Sequence, residues 1–417
     1  MATWRDCKLG DLVQVKHGFA FLGEHFAHAG THVVLTPGNF LEEGGFKENS
    51  EKAKWYDGPV PSDYVLNEGD LIVAMTEQGE GLLGSSAIIP RSGVYLHNQR
   101  LGLVQIRDQT QADQHFIYYL FNSKPVRQQI RGSASGAKIR HTAPSRIAEV
   151  RVSVPPLPVQ RRIVGILSAY DVLMGNSQRR IRILEEMARA LYREWFVHFR
   201  FPGHEKLPRV DSLLGDIPQS WEVKNVAESF EFSGGGTPSR KEASYWNDGT
   251  IQWFAPSDLT ATGTMFMDDS PEHITELGLA ESSARLFPAF SVMMTSRATI
   301  GAIAINTHGA CTNQGFITCL PNERVPLYFL FHWLTENVPT FQRMASGATF
   351  KEISRGVFKT IEFLHPRATL VRCFESQVEP IAKQMLALQR QIRNLRRTRD
   401  LLLPRLLSGQ LVGRVAQ

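Results

Sequence analysis

The 417-residue chain has no apolar run of the 18 or so residues that a bilayer-spanning helix needs. Its first residues, MATWRDCKLGDLV, lack the apolar stretch of a secretory signal. A cytoplasmic protein without membrane attachment is therefore expected. Cysteine is scarce: Cys7, Cys311, Cys319 and Cys373 lie far apart or at spacings unlike zinc clusters, so free buried thiols and no structural metal are expected. Common catalytic motifs are missing too, with no H-E-x-x-H and no G-x-S-x-G. Gly234-Gly235-Gly236-Thr237 lacks the G-K-[ST] ending of a phosphate loop. Gly79 to Gly84 fits G-x-G-x-x-G, but the SSAIIP that follows reads as a strand. Without a helix amino terminus the phosphate has no donor cluster, and a glycine-rich hairpin is expected instead. Pro155-Pro156 lacks the acidic or Asn residue and the following ring with which a methyltransferase grips an exocyclic amine. No nuclease-like cluster of carboxylates with a lysine is evident. These absences argue against an enzyme and for a binding or scaffold protein.

What is present is a folded-protein composition, 42% hydrophobic and 21% charged, in a chain long enough for two to three domains. The net charge of +5 is a mild basic excess that tilts towards nucleic-acid partners without deciding for them. Arginines 390, 393, 396, 397, 399 and 405 crowd one late segment, and Arg179, Arg180 and Arg182 an earlier one. Both clusters suit the solvated flank of a coiled coil.

The strongest positive signal is a repeat. Ile163, Leu167, Tyr170, Met174, Ser177, Ile181, Leu184, Ala188, Leu191 and Trp195 advance by alternating steps of 4 and 3, the a/d spacing of a coiled coil. A displacement of 211 residues gives Phe374, Val378, Ile381, Met385, Leu388, Ile392, Leu395, Arg399, Leu402 and Leu406. Ser177 and Arg399 break the apolar character. Exposing such a seam forfeits about 1.5–3 kcal/mol per large side chain, so each stripe is expected to cover the other. The duplication extends outward. Ser135-Gly136-Ala137 matches Ser346-Gly347-Ala348, Pro155 matches Pro366, Asn98-Gln99 matches Asn313-Gln314, and Thr76 matches Thr295. Trp4, Leu9, Val13, Val15 and Gly18 match Trp221, Val226, Phe230, Phe232 and Gly235. Short apolar runs broken by Gly, Pro and Asn, followed by helical stretches, mark each preceding segment as a mixed α/β head. The expected order is a first head at 1–155, a long helix at 156–200, a Pro- and Gly-rich linker at 201–219, a second head at 220–367, a second long helix at 368–407 and a tail at 408–417. Pro380 is expected to kink the second helix and Pro404 to help end it. Antiparallel packing of the helices gives a pseudo-twofold molecule with its heads apart on a rod of about 60 Å.

Polar and basic residues fall at predicted turns of both heads: Lys16, His17, Thr76, Gln78, Lys138, Arg140 and His141 in the first, and Thr237, Ser239, Arg240, Lys241, Arg297, Lys351 and Arg355 in the second. Such side chains suit phosphates and base edges. Taken singly each is more often an ordinary surface residue, and their recurrence at strand ends in both heads strengthens the case, so a coiled-coil scaffold with protein-binding heads stays open beside a DNA reader, as does a stand-alone enzyme.

The two heads and two helices, with LYREWFVHFRFPG in the centre and LLPRLLSGQLV near the end, resemble the specificity subunit of type I restriction-modification systems. KHGFAF at 16–21, SGGGTPSRK at 233–241 followed by YWNDGTIQWF, and the SGA segments are similar as well. The resemblance covers essentially the whole chain. It implies two target recognition domains, each reading half of a bipartite asymmetric sequence in double-stranded DNA, with the helices fixing the spacer. It implies a non-catalytic subunit that binds no cofactor. Two methylation subunits using S-adenosylmethionine would dock on it, and restriction subunits would join them.

Overall fold

The computed structural model describes residues 4–48, 53–347 and 350–411. The chain divides into two compact units, Met1–Asn176 with Gln391–Gln417, and Ser177–Arg390. The division falls inside two long helices, Leu157–Tyr192 and Ala368–Leu407. Each unit thus holds one head, the opening half of one helix and the closing half of the other.

In the first unit, strand Arg5–Lys8 pairs antiparallel with Arg151–Val154, so the head's first strand meets its last. The central sheet runs Val13–His17, Leu101–Ile106, Leu71–Ala74, Ser86–Ile88, all antiparallel. The run LIVA is apolar on both faces because the strand lies between two cores: Leu71 and Val73 enter one cluster, Ile72 and Ala74 another. Helix Gln114–Phe121 starts on Asp113, whose carboxylate accepts the His115 and Phe116 N–H groups. Its buried Phe116 and Leu120 share a core with Ile163, Leu167 and Leu406 of the long helices. Buried Gln160 ties head to helix, accepting the Asp113 N–H at 2.9 Å and donating to the Gln111 and Pro155 carbonyls at 2.8 Å.

The second unit repeats this plan. Strand Glu222–Asn225 pairs with Glu362–His365, and the central sheet runs Glu231–Ser233, Phe316–Leu320, Val292–Thr295, Ile303–Asn306, Phe266–Met267. Its core is aromatic where the helices enter: Phe374 packs against Tyr192, Trp195 and Phe196 at ring distances of 5.8, 6.2 and 5.2 Å. Helix Leu327–Met344 follows Pro326, which offers no side-chain cap, and Glu375 of the long helix accepts the Phe329 N–H at 2.6 Å instead.

Along the expected seam, Ile163, Leu167, Ile181, Trp195, Phe374, Val378, Met385, Leu388 and Leu406 are buried. Tyr170, Met174, Leu184, Leu191, Ile381, Ile392, Leu395 and Leu402 are half-buried. Ser177 is buried as well. Arg399 is not bare in the first unit: its Nη1 donates to Asp171 Oδ1 at 2.7 Å, and Asp171 Oδ2 accepts the Tyr119 hydroxyl at 2.5 Å. Burial works against the Arg399 charge, but hydrogen bonds to Asp171 and Asp400 outweigh it and raise its pKa. Burial and then the bond to Asp171 raise that of Tyr119, which stays a donor.

Several expectations are corrected. The first helix is α-helical only to Tyr192, and a π turn, Arg193–Val197, replaces the α-helix expected to continue to residue 200. The wider turn lets the neighbours Trp195 and Phe196 both face the core. The segment 201–219 is no open linker. It pairs Arg209–Val210 with Ile217–Pro218, buries Ile217, and stacks buried Phe201 on Trp221 at 5.5 Å. The second helix, Ala368–Leu407, continues through Pro380 and ends three residues after Pro404. The cysteines are free, but burial holds only for Cys311 and Cys319; Cys7 is half-buried and Cys373 exposed on its helix. Among the described residues no helix is long and apolar enough to cross a membrane, and no cluster of three or more His, Cys, Asp or Glu side chains suits a metal.

Candidate nucleic-acid interface

In the first head, strand register brings the expected turn residues to one end of the central sheet. His17 closes its strand opposite Gly102, and Leu101 faces Ala74, so strands Val13–His17 and Leu71–Ala74 both finish where Leu101–Ile106 begins. Just beyond, Thr76 pairs with His141 and Glu77 with Arg140. Gln78 and Lys138 are exposed beside this ladder. Lys16 points elsewhere: its Nζ donates to the Asp63 carbonyl at 3.0 Å and lies 4.6 Å from the Tyr64 ring centre.

The glycine-rich stretch after Gln78 is a closed turn. Glu77, 4% exposed, accepts the N–H groups of Gly81, Leu82 and Leu83 at 2.9–3.1 Å. An internal carboxylate thus occupies the donors a phosphate would require, which agrees with a hairpin rather than a dinucleotide site.

The second head has the same end. Strand Glu231–Ser233 finishes opposite Thr318, and Val292–Thr295 finishes opposite Phe316, at the same end of Phe316–Leu320. Thr237 donates to Gln314 Oε1 at 2.6 Å. Arg297 bridges to Glu352 and lies 3.7 Å from its carboxylate, and the Lys351 carbonyl accepts the Ala298 N–H at 3.0 Å. The Arg355 guanidinium covers Gly234, 3.6 Å from where a Cβ would stand. Ser239, Arg240 and Lys241 follow Thr237 along the same loop. Arg240 is held by both oxygens of Glu272 and lies 3.7 Å from the Trp246 ring centre, while Ser239 accepts the Trp246 indole N–H.

Two details recur at matching positions. A Cβ on Gly18 would stand 2.0 Å from the Asn98 carbonyl oxygen, and one on Gly235 1.9 Å from that of Thr312, next to Asn313. Only glycine admits such close strand approach. The SGA segments form bridged loops, Ser135 with His141 and Ser346 with Glu352. Gly136 and Gly347 take left-handed φ values of 99° and 131°, and their absent Cβ atoms would meet the carbonyls of Ile139 and Phe350 at 2.0 and 2.2 Å. Residue 348 of the second SGA, with 349, lies outside the described residues. Sequence reasoning passed over exposed Ile139 and Phe350, although their 211-residue separation was there to be seen. It marked Gln314 only as a repeat match, and it passed over Arg285, whose Nη1 donates to Ser233 Oγ at 2.8 Å. Those partnerships have no sequence signature.

Comparison with known proteins assigns the chain to a family. The family described as "Type I restriction modification DNA specificity domain" matches residues 1–186 and 218–368. The MjaIX specificity subunit of a type I restriction enzyme from Methanocaldococcus jannaschii is 34% identical over 200 residues, which cover 46% of this chain and 45% of that subunit. The HindI specificity subunit of Haemophilus influenzae is 21% identical over 99% of this chain and all of that subunit. The crystal structure of the type I system S subunit from M. genitalium is alike in fold, with a TM-score of 0.60 at 16% identity over 97% of this chain and 96% of that one. Two matched segments spanning most of its length make the chain a member of the type I restriction-modification DNA specificity family.

Proposed function

We propose that the chain is the DNA sequence-specificity subunit of a type I restriction-modification complex, itself non-catalytic, in which each head reads one half of a bipartite asymmetric target in double-stranded DNA. The observation that carries this reading is the recurrence, at one sheet end in each head, of a bridged glycine loop, a glycine-backed strand end and a set of polar and basic side chains. Backbone and cationic groups position a duplex, and Arg, Lys, Gln and Thr read base edges. The sets differ: Thr76, Gln78, Arg140 and His141 in one head, Thr237, Arg297 and Lys351 in the other. Unlike heads suit a target with unlike halves, whereas like heads would suit a palindrome.

In this reading the heads are target recognition domains at 1–155 and 220–367. The long helices form an antiparallel coiled coil that relates them by a pseudo-twofold axis and sets the unread spacer. Two methylation subunits dock on this frame and carry S-adenosylmethionine, restriction subunits join them, and the chain binds no cofactor. The complex works in the cytoplasm. The names of the M. jannaschii and H. influenzae relatives support the reading; a scaffold with protein-binding heads has no comparable support. Co-expression with its methylation subunit should place methyl groups on adenines of one two-part motif, mapped by sequencing modified bases. Methylation of no motif, or of one without an internal spacer, overturns the reading. Duplex affinity should also fall steeply with salt, and a flat response would favour the scaffold.

A further inference from the structure

We infer that Ile139 and Phe350 are apolar wedges that enter the base stack of the DNA duplex, one from each head. The inference rests on the proposed reading of the heads as DNA readers. Both residues occupy the same place in the bridged glycine loops, 211 residues apart. In each loop the left-handed glycine approaches the carbonyl of this residue, which fixes the backbone inward and leaves the side chain outside. Ile139 is 43% and Phe350 58% exposed, and neither belongs to the cores of its unit.

Their surroundings choose the partner. Apolar surface that docks a protein is contiguous over hundreds of square ångströms. Each of these is instead a single large apolar side chain beside basic residues: Lys138 and Arg140 flank Ile139, and Lys351 follows Phe350, while Arg297 lies 3.7 Å from the Glu352 carboxylate. Proteins that kink a duplex insert Phe, Leu, Ile or Met between base steps and use Arg and Lys in the same groove. In the first head the bridge of Ser135 to His141 and the Gly136 closure hold the loop in place, so little ordering remains to be done on binding there. Wedging opens a step for the side chains beside it, Gln78 and His141 in one head and Arg297 in the other.

The test uses the full chain with its methylation subunit and a duplex bearing the two-part motif found by methylation mapping, with 2-aminopurine placed at steps within each half. I139A and F350A should each weaken binding about tenfold and abolish the 2-aminopurine brightening in their own half. The slope of affinity against salt should not change, whereas K138A and K351A should each lower it by about one. I139L and F350L should restore binding. Unchanged affinity and brightening in I139A and F350A, with normal wild-type binding, would overturn the wedge and leave the DNA reading intact. So would weaker capture of the methylation subunit by these variants without DNA, which would make the residues a protein contact. A wild-type complex that binds no duplex would overturn both.

Discussion

Replacing Arg399 and Asp171 by alanine, singly and together, dissects the polar junction of the first unit. Arg399 and Asp171 side chains keep 14% and 30% of their exposure. The pair therefore lies between surface pairs, worth about 0–1 kcal/mol, and buried ones whose breaking costs about 3–5 kcal/mol. Arg399→Ala should cost about 2 kcal/mol. Asp171→Ala should cost about 3 kcal/mol, because it strands both the guanidinium and the hydroxyl of Tyr119, which is 5% exposed. The double variant loses both charges at once and should cost about 3 kcal/mol rather than 5, a coupling of about 2 kcal/mol. The assay must see the first unit. Trp195, Trp221, Trp246, Trp253 and Trp333 all belong to the second, so fluorescence of the whole chain would report chiefly on that one. Native-state hydrogen exchange of peptides spanning 114–121 and 163–176 reads the junction itself. If the single losses add to the double within about 0.5 kcal/mol, the three groups do not act as a network and the reasoning fails.

Three further outcomes are expected. Burial raises the Glu375 carboxyl from 4.5 to about 7 in spite of its N–H partners; folding then favours its protonated form, so the stability it contributes is complete below about pH 4.5 and is lost as pH rises to about 7. Urea unfolding of the second unit, followed by tryptophan fluorescence, should show wild type losing on the order of 3 kcal/mol relative to Glu375→Gln across that window, and a pH-independent difference would refute this. Gly18→Ala should lower stability by about 1–3 kcal/mol in thermal melts because its methyl group meets the Asn98 carbonyl, whereas Gly23→Ala, with open space around it, should stay within about 0.5 kcal/mol; equal effects would contradict the close-approach argument. Four residues inserted after Ser177 would add about 6 Å and 40° of turn to the helix, and a methylated motif whose spacer length did not change would end the ruler idea.

The features legible in the sequence are those with a period or a repeat. The steps of 4 and 3 through Ile163 and Phe374 mark positions that are buried or half-buried, and the SGA pairs mark loops that close alike. Glycines at 18 and 235 are marked only as repeat matches, and the carbonyl each must admit comes from a segment about 80 residues later. Features that rest on one side chain meeting a distant group stay invisible. Gln160 satisfies backbone near Asp113, Glu375 caps a helix that Pro326 leaves uncapped, and Arg240 is absorbed by Glu272. Composition misleads at 201–219: Pro and Gly suggest open chain, but Phe201 and Ile217 supply enough apolar surface to pin the segment to a core. Lys16 shows the same limit for a site residue, since a lysine at a strand end reads the same whether it faces a ligand or the Asp63 carbonyl.

The junctions of the two units have diverged in a complementary way. The displacement that relates the helices carries Asp171 to Ala382 and Ala188 to Arg399. Charge therefore occurs on both partners of the contact in the first unit and on neither of the matching residues in the second, where Ala188 and Ala382 are both fully buried. His332, 213 residues after Tyr119 on the matching helix, stacks on Tyr192 at 5.6 Å, and its Nε2 has no hydrogen-bond partner among the described residues. Burial pushes its pKa down to about 3, so it stays neutral where Tyr119 has a carboxylate to bind. A helix paired with a copy of itself would set Asp171 against Ala188, or Arg399 against Ala382, and leave a half-buried charge without a partner at a cost of several kcal/mol. Pairing of unlike helices leaves none. In the proposed coiled coil, the residue that most disturbs the apolar stripe thus tells a pairing of the unlike helices from a pairing of like ones, as a lone polar residue does at a coiled-coil a position.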